Sequence, residues 1–540
     1  MMIVNTGVMA YADTWYNWMK PILTAKLVKY QHDDPDPLRY TKDLYILEAN
    51  GKGVSFLSGF IPDIMEKAKS KGIDVQYCDG RTRSNNPTTY AFDYDRVDPN
   101  LRYGQAEMID AIVNNDKGLI TCCTGAGKSF VIKQLCKAYY NANILIVTKA
   151  ASVVDSLYKD ISNELGKDAV GLIKGGTASR EENKRVRVST TKSIQRANII
   201  KADILIFDEV HNVGDNAIGD ALIMSGTEAR MFGFSASMYR GDKAYQIIQG
   251  LFGKEIATLT YQEGVNHGVV TKIDAIMVPY TGPKINPTGL SYVDNPRFYW
   301  ANKYRNQLIA DTVREIPDNL QTLIMVDTLE HAINLKQLLP EYTVVHFGGA
   351  NSTTTKKFVQ WDDEECPDEI IVMHKQAGSV ENLKRVPDEM GRVMFQNARG
   401  ITFSAQTLFK SYTTIDGAVC GYQKKFKRYV NGIDASEYSI TKEQKKQITE
   451  DFEQGRLMKV IATKIWSEGI NVKHCRFFFR ANGSASKNDS IQMPGRLSRL
   501  MEGKDNAVLL DIDDNFNEQV LRKAKSRKQE YIKQGWLKDE

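Results

Sequence analysis

At 540 residues the chain exceeds one ordinary domain; at ~150 residues per domain it has room for three or four. Hydrophobic residues make up 42% and charged residues 25%, a globular balance that excludes disorder, collagen and coiled coil. The net charge of +5 is too mild to argue for a nucleic-acid partner by itself. No apolar run reaches the ~18 residues of a membrane span, and Met1 to Lys20 lacks the basic-then-apolar layout of a secretory signal. The seven cysteines include no Cys-x-x-Cys pair, so neither a disulfide framework nor a zinc site is expected. The cytoplasm is the expected compartment.

Residues 1–95 read as a small α+β domain. Leu44-Tyr-Ile-Leu47, the turn Asn50-Gly-Lys-Gly53 and Val54-Ser-Phe-Leu57 predict a hairpin. Pro62 opens a helix that runs through Lys69, and Gly72 closes it.

From about Asp116 to Asp513, short apolar runs alternate with helical stretches. The first set is Gly118–Cys123, Ile144–Thr148, Ile204–Phe207 and Met231–Ser235. The second is Thr322–Val326, Lys459–Ala462, Arg476–Phe479 and Ala507–Leu510. Continuous Val/Ile/Leu/Phe runs suit strands buried on both faces, with helices as crossovers. Two doubly wound parallel-sheet α/β domains in tandem are expected, at 96–280 and at 281–349 with 429–515. Pro279, Gly282, Pro283, Pro287 and Gly289 mark the break. Residues 350–428 are too long for a loop and read as a subdomain inserted in the second domain. Residues 516–540 read as a basic C-terminal helix or tail.

Thr121-Cys-Cys-Thr-Gly-Ala-Gly-Lys-Ser129 lies between a predicted strand and a helix over Phe130 to Tyr140. Gly125 and Gly127 let backbone N–H groups approach phosphate oxygens, and the helix N-terminus adds its positive dipole end. Lys128 can reach β- and γ-phosphates, and the Ser129 hydroxyl can ligate Mg²⁺. Cys122 occupies the position where the pattern usually has its first glycine. Thr124, Gly125, Ala126, Gly127, Lys128 and Ser129 are the candidate ATP ligands. Further on, the run Ile204–Phe207 ends in Asp208-Glu-Val-His211, which places carboxylates at a strand's C-terminal edge. Asp208 is the candidate Mg²⁺ ligand with Ser129, and Glu209 the group that orients or deprotonates water.

These motifs, in this order, resemble the superfamily 2 helicases and translocases. Leu101-Arg-Tyr-Gly-Gln105 resembles that family's adenine-reading element, with Gln105 facing the base and Gly104 where an aromatic is frequent. Thr148-Lys149 and Thr190-Thr191 resemble the elements that hold the nucleic-acid backbone, and Ser235-Ala-Ser237 the one that couples hydrolysis to movement. Ala462-Thr463 through Ser467-Glu-Gly-Ile-Asn-Val472 matches motif five, which implies a DNA contact at Thr463 and nucleotide contacts at Gly469 and Asn471. Gln492-Met-Pro-Gly-Arg-Leu-Ser-Arg499 matches motif six, which implies catalytic roles for Gln492, Arg496 and Arg499. The resemblance implies two RecA-like domains that sandwich ATP, with arginines of the second neutralising charge on the leaving phosphate.

Motif six begins with glutamine, whereas RNA-unwinding relatives of the Asp-Glu-Ala-Asp class usually begin it with histidine. That choice, and the N-terminal hairpin followed by Gly59-Phe-Ile-Pro-Asp63 and Asp79-Gly-Arg81, resemble phage branch-migration helicases of the UvsW type. The implied partner is DNA, branched, forked or duplex, and the implied role of residues 1–95 is duplex recognition. Two basic stretches, Tyr422–Tyr429 and Leu521–Lys528, are candidate DNA contacts or solvated faces. His267, His331 and His474 have no ligand-like spacing. The competing readings are a packaging or restriction translocase, an RNA helicase, and a binding scaffold with a decayed ATPase site.

Overall fold

The computed structural model describes residues 1–29, 38–82, 90–149, 151–175, 181–213, 222–236, 244–285, 297–345, 354–360, 369–373, 380–387, 393–396, 402–404, 419–463, 466, 470–483 and 487–538. They form two compact units. One is Met1–Met325 with Thr449–Val460 and Trp466–Glu540; the other is Val326–Ile448 with Ile461–Ile465.

The first unit opens with strands β1 (Met2–Asn5), β2 (Met9–Ala12), β3 (Thr24–Lys29), β4 (Leu38–Asp43), β5 (Tyr45–Leu47), β6 (Val54–Leu57) and β7 (Gln76–Asp79). Five of them form a sheet in the order β5-β6-β2-β1-β7, while β3 and β4 pair as an antiparallel ribbon. The expected hairpin is present, with Tyr45 opposite Phe56 and Leu47 opposite Val54. The expected helix runs Ile61–Ser70 with Pro62 in its first turn, and Gly72 beyond it adopts a left-handed φ of +69°.

The N-terminal sheet shares a buried core with the lobe that follows. Ile3, Phe56, Leu57 and Phe60 belong to one cluster with Leu119, Phe207, Met231, Ile248 and Leu251. Gly59 permits the approach, since a Cβ there would lie 2.2 Å from the Gln249 carbonyl oxygen. Half-buried Lys117 crosses the seam and donates to Ser58 Oγ (2.5 Å) and to the Leu251 carbonyl (3.2 Å). Arg81, 2% exposed, pairs with both Asp79 and Asp116 at 2.6 Å.

The next sheet contains β8 (Lys117–Cys122), β9 (Ile144–Thr148), β10 (Val170–Ile173), β11 (Val186–Thr190), β12 (Ile204–Asp208), β13 (Arg230–Ser235) and β14 (Glu255–Leu259). It is parallel, in the order β10-β11-β9-β12-β13-β8-β14. β9, β11, β12 and β13 are buried along their full length, as the apolar runs require.

The remaining strands are β15 (Lys272–Pro279), β16 (Thr322–Met325), β17 (Thr343–Val345), β18 (Thr354–Gln360), β19 (Glu369–Met373), β20 (Val380–Pro387), β21 (Val393–Gln396), β22 (Thr402–Ser404), β23 (Val419–Lys427), β24 (Tyr429–Val430), β25 (Ile433–Asp434), β26 (Lys459–Ala462), β27 (Phe477–Arg480) and β28 (Asn506–Asp513). Within the first unit β15, β28, β27 and β16 lie side by side, all parallel. Both lobes are thus parallel α/β sheets of the RecA-like kind. The boundary read at residue 280 needs correction. β15 precedes it, yet pairs with β28 from Lys272–Asn506 to Pro279–Asp513. Proline and glycine after Pro279 do interrupt regular structure, but they do so inside the second lobe.

Of the two readings of residues 516–540, helix or tail, the structure has the helix, Glu518–Lys533, and it is packed rather than free at the surface. Val520, Ala524, Arg527 and Tyr531 are buried on it, and Arg527 Nε donates to Asp511 at 2.8 Å. Arg305 Nε donates to Asp514 at 2.8 Å, and both residues are fully buried.

The second unit contains the helix Leu329–Leu338, β17, and the strands expected as an insertion. Those strands form an antiparallel sheet of their own, in the order β18-β23-β19-β20-β21-β22. β24 and β25 follow as a tight hairpin whose two connecting residues, Asn431 and Gly432, both have positive φ (+49° and +84°).

Candidate nucleotide site

β8 delivers the chain to a loop that ends where the helix Lys128–Ala138 begins. Gly125 and Gly127 have φ of +93° and +91°, which glycine adopts without a steric penalty. Gln105 braces this loop from behind. It is 2% exposed, its Oε1 accepts from the Arg102 N–H (3.0 Å), and its Nε2 donates to the Ala126 carbonyl (3.0 Å). A Cβ at Gly127 would lie 2.4 Å from that Nε2, so the brace itself requires the glycine. Tyr103 stacks on His267 with ring centroids 3.6 Å apart. Burial pushes the Cys122 and Cys123 thiols up to about 12 and about 11, so both remain protonated wall residues.

At the end of β12, Asp208 is nearly buried, and Glu209 turns into the left-handed region at φ +56°. Such a conformation is costly for a non-glycine residue. Lys128 Nζ lies 2.7 Å from Glu209 Oε1 and 3.8 Å from Asp208 Oδ1. Burial raises the Asp208 carboxyl, against the pull of Lys128. Burial would raise Glu209 as well, but Lys128 and then His211 hold it below its ordinary value. Burial opposes the charge on Lys128, yet Glu209 and Asp208 outweigh it and raise the ammonium. His211 Nδ1 lies 2.8 Å from Ser235 Oγ and 3.3 Å from Glu209 Oε2, connecting the carboxylate to the end of β13.

The helix Lys487–Gly495 leads into a short turn that carries Arg496 and Arg499. Arg499 Nη1 donates to the Ile470 carbonyl at 3.2 Å, and Arg496 Nη1 reaches the same oxygen at 3.5 Å. Ser498 Oγ lies 2.7 Å from the Thr124 carbonyl, so this turn touches the glycine-rich loop. Glu453 Oε1 accepts from the Asn471 N–H at 2.7 Å. One cavity of about 630 Å³ is lined by Gly125, Lys128, Ser129, Asp208, Glu209, Asn471, Arg496 and Arg499, together with Arg102 and Glu453. Burial pulls the Arg499 guanidinium down, with Glu453 opposing. The cavity wall thus brings Lys128, Arg496 and Arg499 together with the carboxylates of Asp208, Glu209 and Glu453.

Not every candidate residue joins this cavity. Gly469 and Ser237 lie outside the described residues, as does the side chain of Gln492, whose backbone is in the helix Lys487–Gly495. Thr148 and Thr190 are partners across β9 and β11 but only 1% and 8% exposed, and Thr190 Oγ1 donates to Ser193 Oγ (3.1 Å). The accessible members of those pairs are Lys149, whose Nζ donates to Asn212 Oδ1 (3.4 Å), and Thr191. Thr463, in the second unit, is 5% exposed, and its N–H donates to the Val345 carbonyl (3.2 Å). Sequence reasoning missed Arg102, Glu453 and Ser498. Ser498 sits inside the motif-six match and Arg102 inside Leu101–Gln105, at positions those patterns leave open, whereas Glu453 carries no local signal.

Two family models match the chain in tandem. The type III restriction enzyme res subunit covers residues 98–240, and the helicase conserved C-terminal domain covers residues 406–501. The chain is similar to the DNA 3'-5' translocase XPB2 of Sulfurisphaera tokodaii, with 21% identity over 488 residues, 88% of this chain and 95% of that protein. Among solved structures, UvsW of bacteriophage T4 aligns over 99% of this chain and 98% of its own, at 14% identity and a TM-score of 0.37. Dbp5 of S. cerevisiae aligns over 82% of this chain and 93% of its own, at 13% identity and a TM-score of 0.46. Among the described residues no helix is long and apolar enough to cross a membrane.

Proposed function

We propose that the chain is a superfamily 2 helicase, an ATP-driven motor that moves along DNA and remodels branched or forked duplexes, a reading supported by the two tandem family matches. The observation that carries the reading is the shared cavity: Lys128, Asp208 and Glu209 from the first lobe line it together with Arg496 and Arg499. Lys128 holds the β- and γ-phosphates of ATP once its ammonium turns from Glu209 toward them. Glu209 then orients the attacking water, with His211 fixing the carboxylate from behind. Arg496 and Arg499 neutralise the charge that spreads over the γ-phosphoryl oxygens in the loose transition state. Lys128 and the Glu209 N–H both approach Oδ1 of Asp208, which leaves Oδ2, with the Ser129 hydroxyl, as hard oxygen donors suited to Mg²⁺. When bound, the ion would neutralise phosphate charge. Gln105 and Ser498 act as positioning residues for the loop rather than on the nucleotide itself.

DNA is favoured by the glutamine that opens motif six, and branched DNA by the order of elements in residues 1–95, which we assign to duplex recognition. Of the motif residues Thr148, Lys149, Thr190 and Thr191, Lys149 and Thr191 offer accessible polar groups to a DNA backbone. The deciding experiment measures ATP turnover with single-stranded, duplex, forked and four-way DNA, with RNA as control. Forked or four-way DNA should stimulate most. Strongest stimulation by RNA would make the chain an RNA helicase, and equal stimulation by any duplex would favour a restriction- or packaging-type translocase. Turnover indifferent to every nucleic acid overturns the reading.

A further inference from the structure

Beyond the end of motif six, Lys504 is 4% exposed, and its Nζ donates to the Leu497 carbonyl (2.7 Å) and to the Lys473 carbonyl (3.0 Å). Leu497 lies between Arg496 and Ser498 in the turn that carries both arginines. Lys473 ends the stretch that begins at Ile470, whose carbonyl takes Arg499 Nη1 at 3.2 Å and Arg496 Nη1 at 3.5 Å. One side chain thus ties together the two segments between which both guanidiniums rest. The chain reaches this position through Gly503, at φ +74°, and the Arg476 guanidinium donates to the Gly503 carbonyl.

Burial pulls the Lys504 ammonium down to about 8; the Cys475 thiol opposes, and the charges of Arg476 and Arg499 add to the burial. Among the described residues no carboxylate contributes to offset them. An apolar side chain of the same length would avoid a desolvated cation altogether, so stability alone does not call for lysine here. Two N–H groups suffice for two carbonyls, so the contact holds whether or not the third proton is present.

We propose that Lys504 is a positioning residue for phosphoryl transfer, clamping the 496–499 turn to the 470–473 segment so that both guanidiniums meet the γ-phosphoryl group together. To reach phosphate oxygens the guanidiniums must leave the Ile470 carbonyl, which gives up a contact between turn and segment. Lys504 keeps the two in register through that exchange. The proposal rests on the reading of the shared cavity as an ATP site and adds a residue that does not line it.

The test is steady-state ATP turnover by the full chain at saturating DNA, for wild type, Lys504→Met and Lys504→Gln. A lysine that merely stitches the lobe together would move Tm and leave the folded protein's kcat alone. As a positioning residue, its loss in Lys504→Met should lower kcat at least about tenfold at a temperature where circular dichroism shows the fold intact, with KM for ATP within about threefold. Lys504→Gln keeps N–H donors on a side chain one atom shorter; it should show the same split in milder form, and it carries the test if Lys504→Met does not fold. Ser498→Ala removes the same turn's contact with the Thr124 carbonyl. In the Lys504→Met background that change should cost less than about twofold in kcat, since a turn already displaced has little left to lose. An unaltered kcat in the folded Lys504 variants overturns the proposal, as does a rise in KM that accounts for the whole loss, or a Ser498→Ala effect as large as in the wild type. A wild type that turns over no ATP fails the reading of the cavity itself, so the two failures are distinguishable.

Discussion

The Ser498 hydroxyl lies 2.7 Å from the Thr124 carbonyl oxygen, joining the turn that carries Arg496 and Arg499 to the loop that carries Lys128. A hydrogen bond of this kind contributes about 1 kcal/mol, roughly a fivefold effect on a rate if it is needed in the transition state. Ser498→Ala should therefore lower kcat for ATP about three- to tenfold while KM moves less than about twofold. Steady-state kinetics at saturating DNA checks this, and an unaltered kcat would reduce the contact to packing.

Lys128→Ala should abolish measurable turnover with the circular-dichroism spectrum intact. Glu209→Gln should lower kcat by at least about a hundredfold. Because Glu209 is the close partner of Lys128 at 2.7 Å, removing its charge frees the ammonium, and nucleotide affinity should hold or tighten. Weaker nucleotide binding by Glu209→Gln would mean the carboxylate touches the nucleotide directly.

Arg499→Lys should fail as badly as Arg499→Ala, because a point charge cannot reproduce the planar fork of donors. Loss of an arginine at this position costs about 10³-fold or more in related phosphoryl transfers. Recovery of most of the activity by lysine would assign Arg499 a purely electrostatic role.

Burial, with Arg81 adding to it and Asp116 opposing, holds the Lys117 ammonium down at about 7, against an ordinary value of 10.5. Between those two values the unfolded chain keeps a proton that the folded chain has shed, so this group makes stability rise with pH across the window. Below it, both states are protonated and the full desolvation penalty is present. The stability of the wild type minus that of Lys117→Met should thus increase from pH ~7 to pH ~10, by up to about 1.4 kcal/mol per unit. Denaturant melts of both proteins at several pH values decide it; a flat difference means Lys117 keeps its proton.

Gly59→Val should destabilise the first lobe as well as the N-terminal sheet, because its Cβ would lie 2.2 Å from the Gln249 carbonyl oxygen. Overpacking of this sort costs roughly 1–3 kcal/mol or more. Calorimetry should show one lowered transition rather than an early N-terminal melt, since Phe60 and Leu251 belong to one core.

The strand–loop–helix junction at Lys128 and the place of Asp208 at the end of a strand were legible because strand, turn and helix signals are local. The insertion was legible from length alone. Gln105 illustrates the limit: residue order aims it at a base, whereas its amide grips the Arg102 N–H and the Ala126 carbonyl, which only the fold brings together. The threonines at 148 and 190 show a second limit, since position in a motif says nothing of hydroxyl burial. β15 was assigned to the wrong lobe because proline and glycine mark the end of an element without naming its sheet. Arg527 was read as part of a basic surface because a run of charges has the same composition whether or not one member finds buried carboxylates.

Arg305, Arg480 and Arg527 surround Asp511 and Asp514, and all five are no more than 1% exposed. Arg527 arrives last, from the final helix, and is the residue that closes this interior salt lattice. Trimming the chain ahead of that helix would take from Asp511 its closest cation, Arg527, and the Tyr531 hydroxyl that donates to it, leaving Arg480 at 4.0 Å; breaking a buried pair in this way costs about 3–5 kcal/mol. Shortened versions made to remove an apparent appendage would therefore lose the keystone of the second lobe, and an affinity tag is better carried beyond residue 538 than substituted for what precedes it.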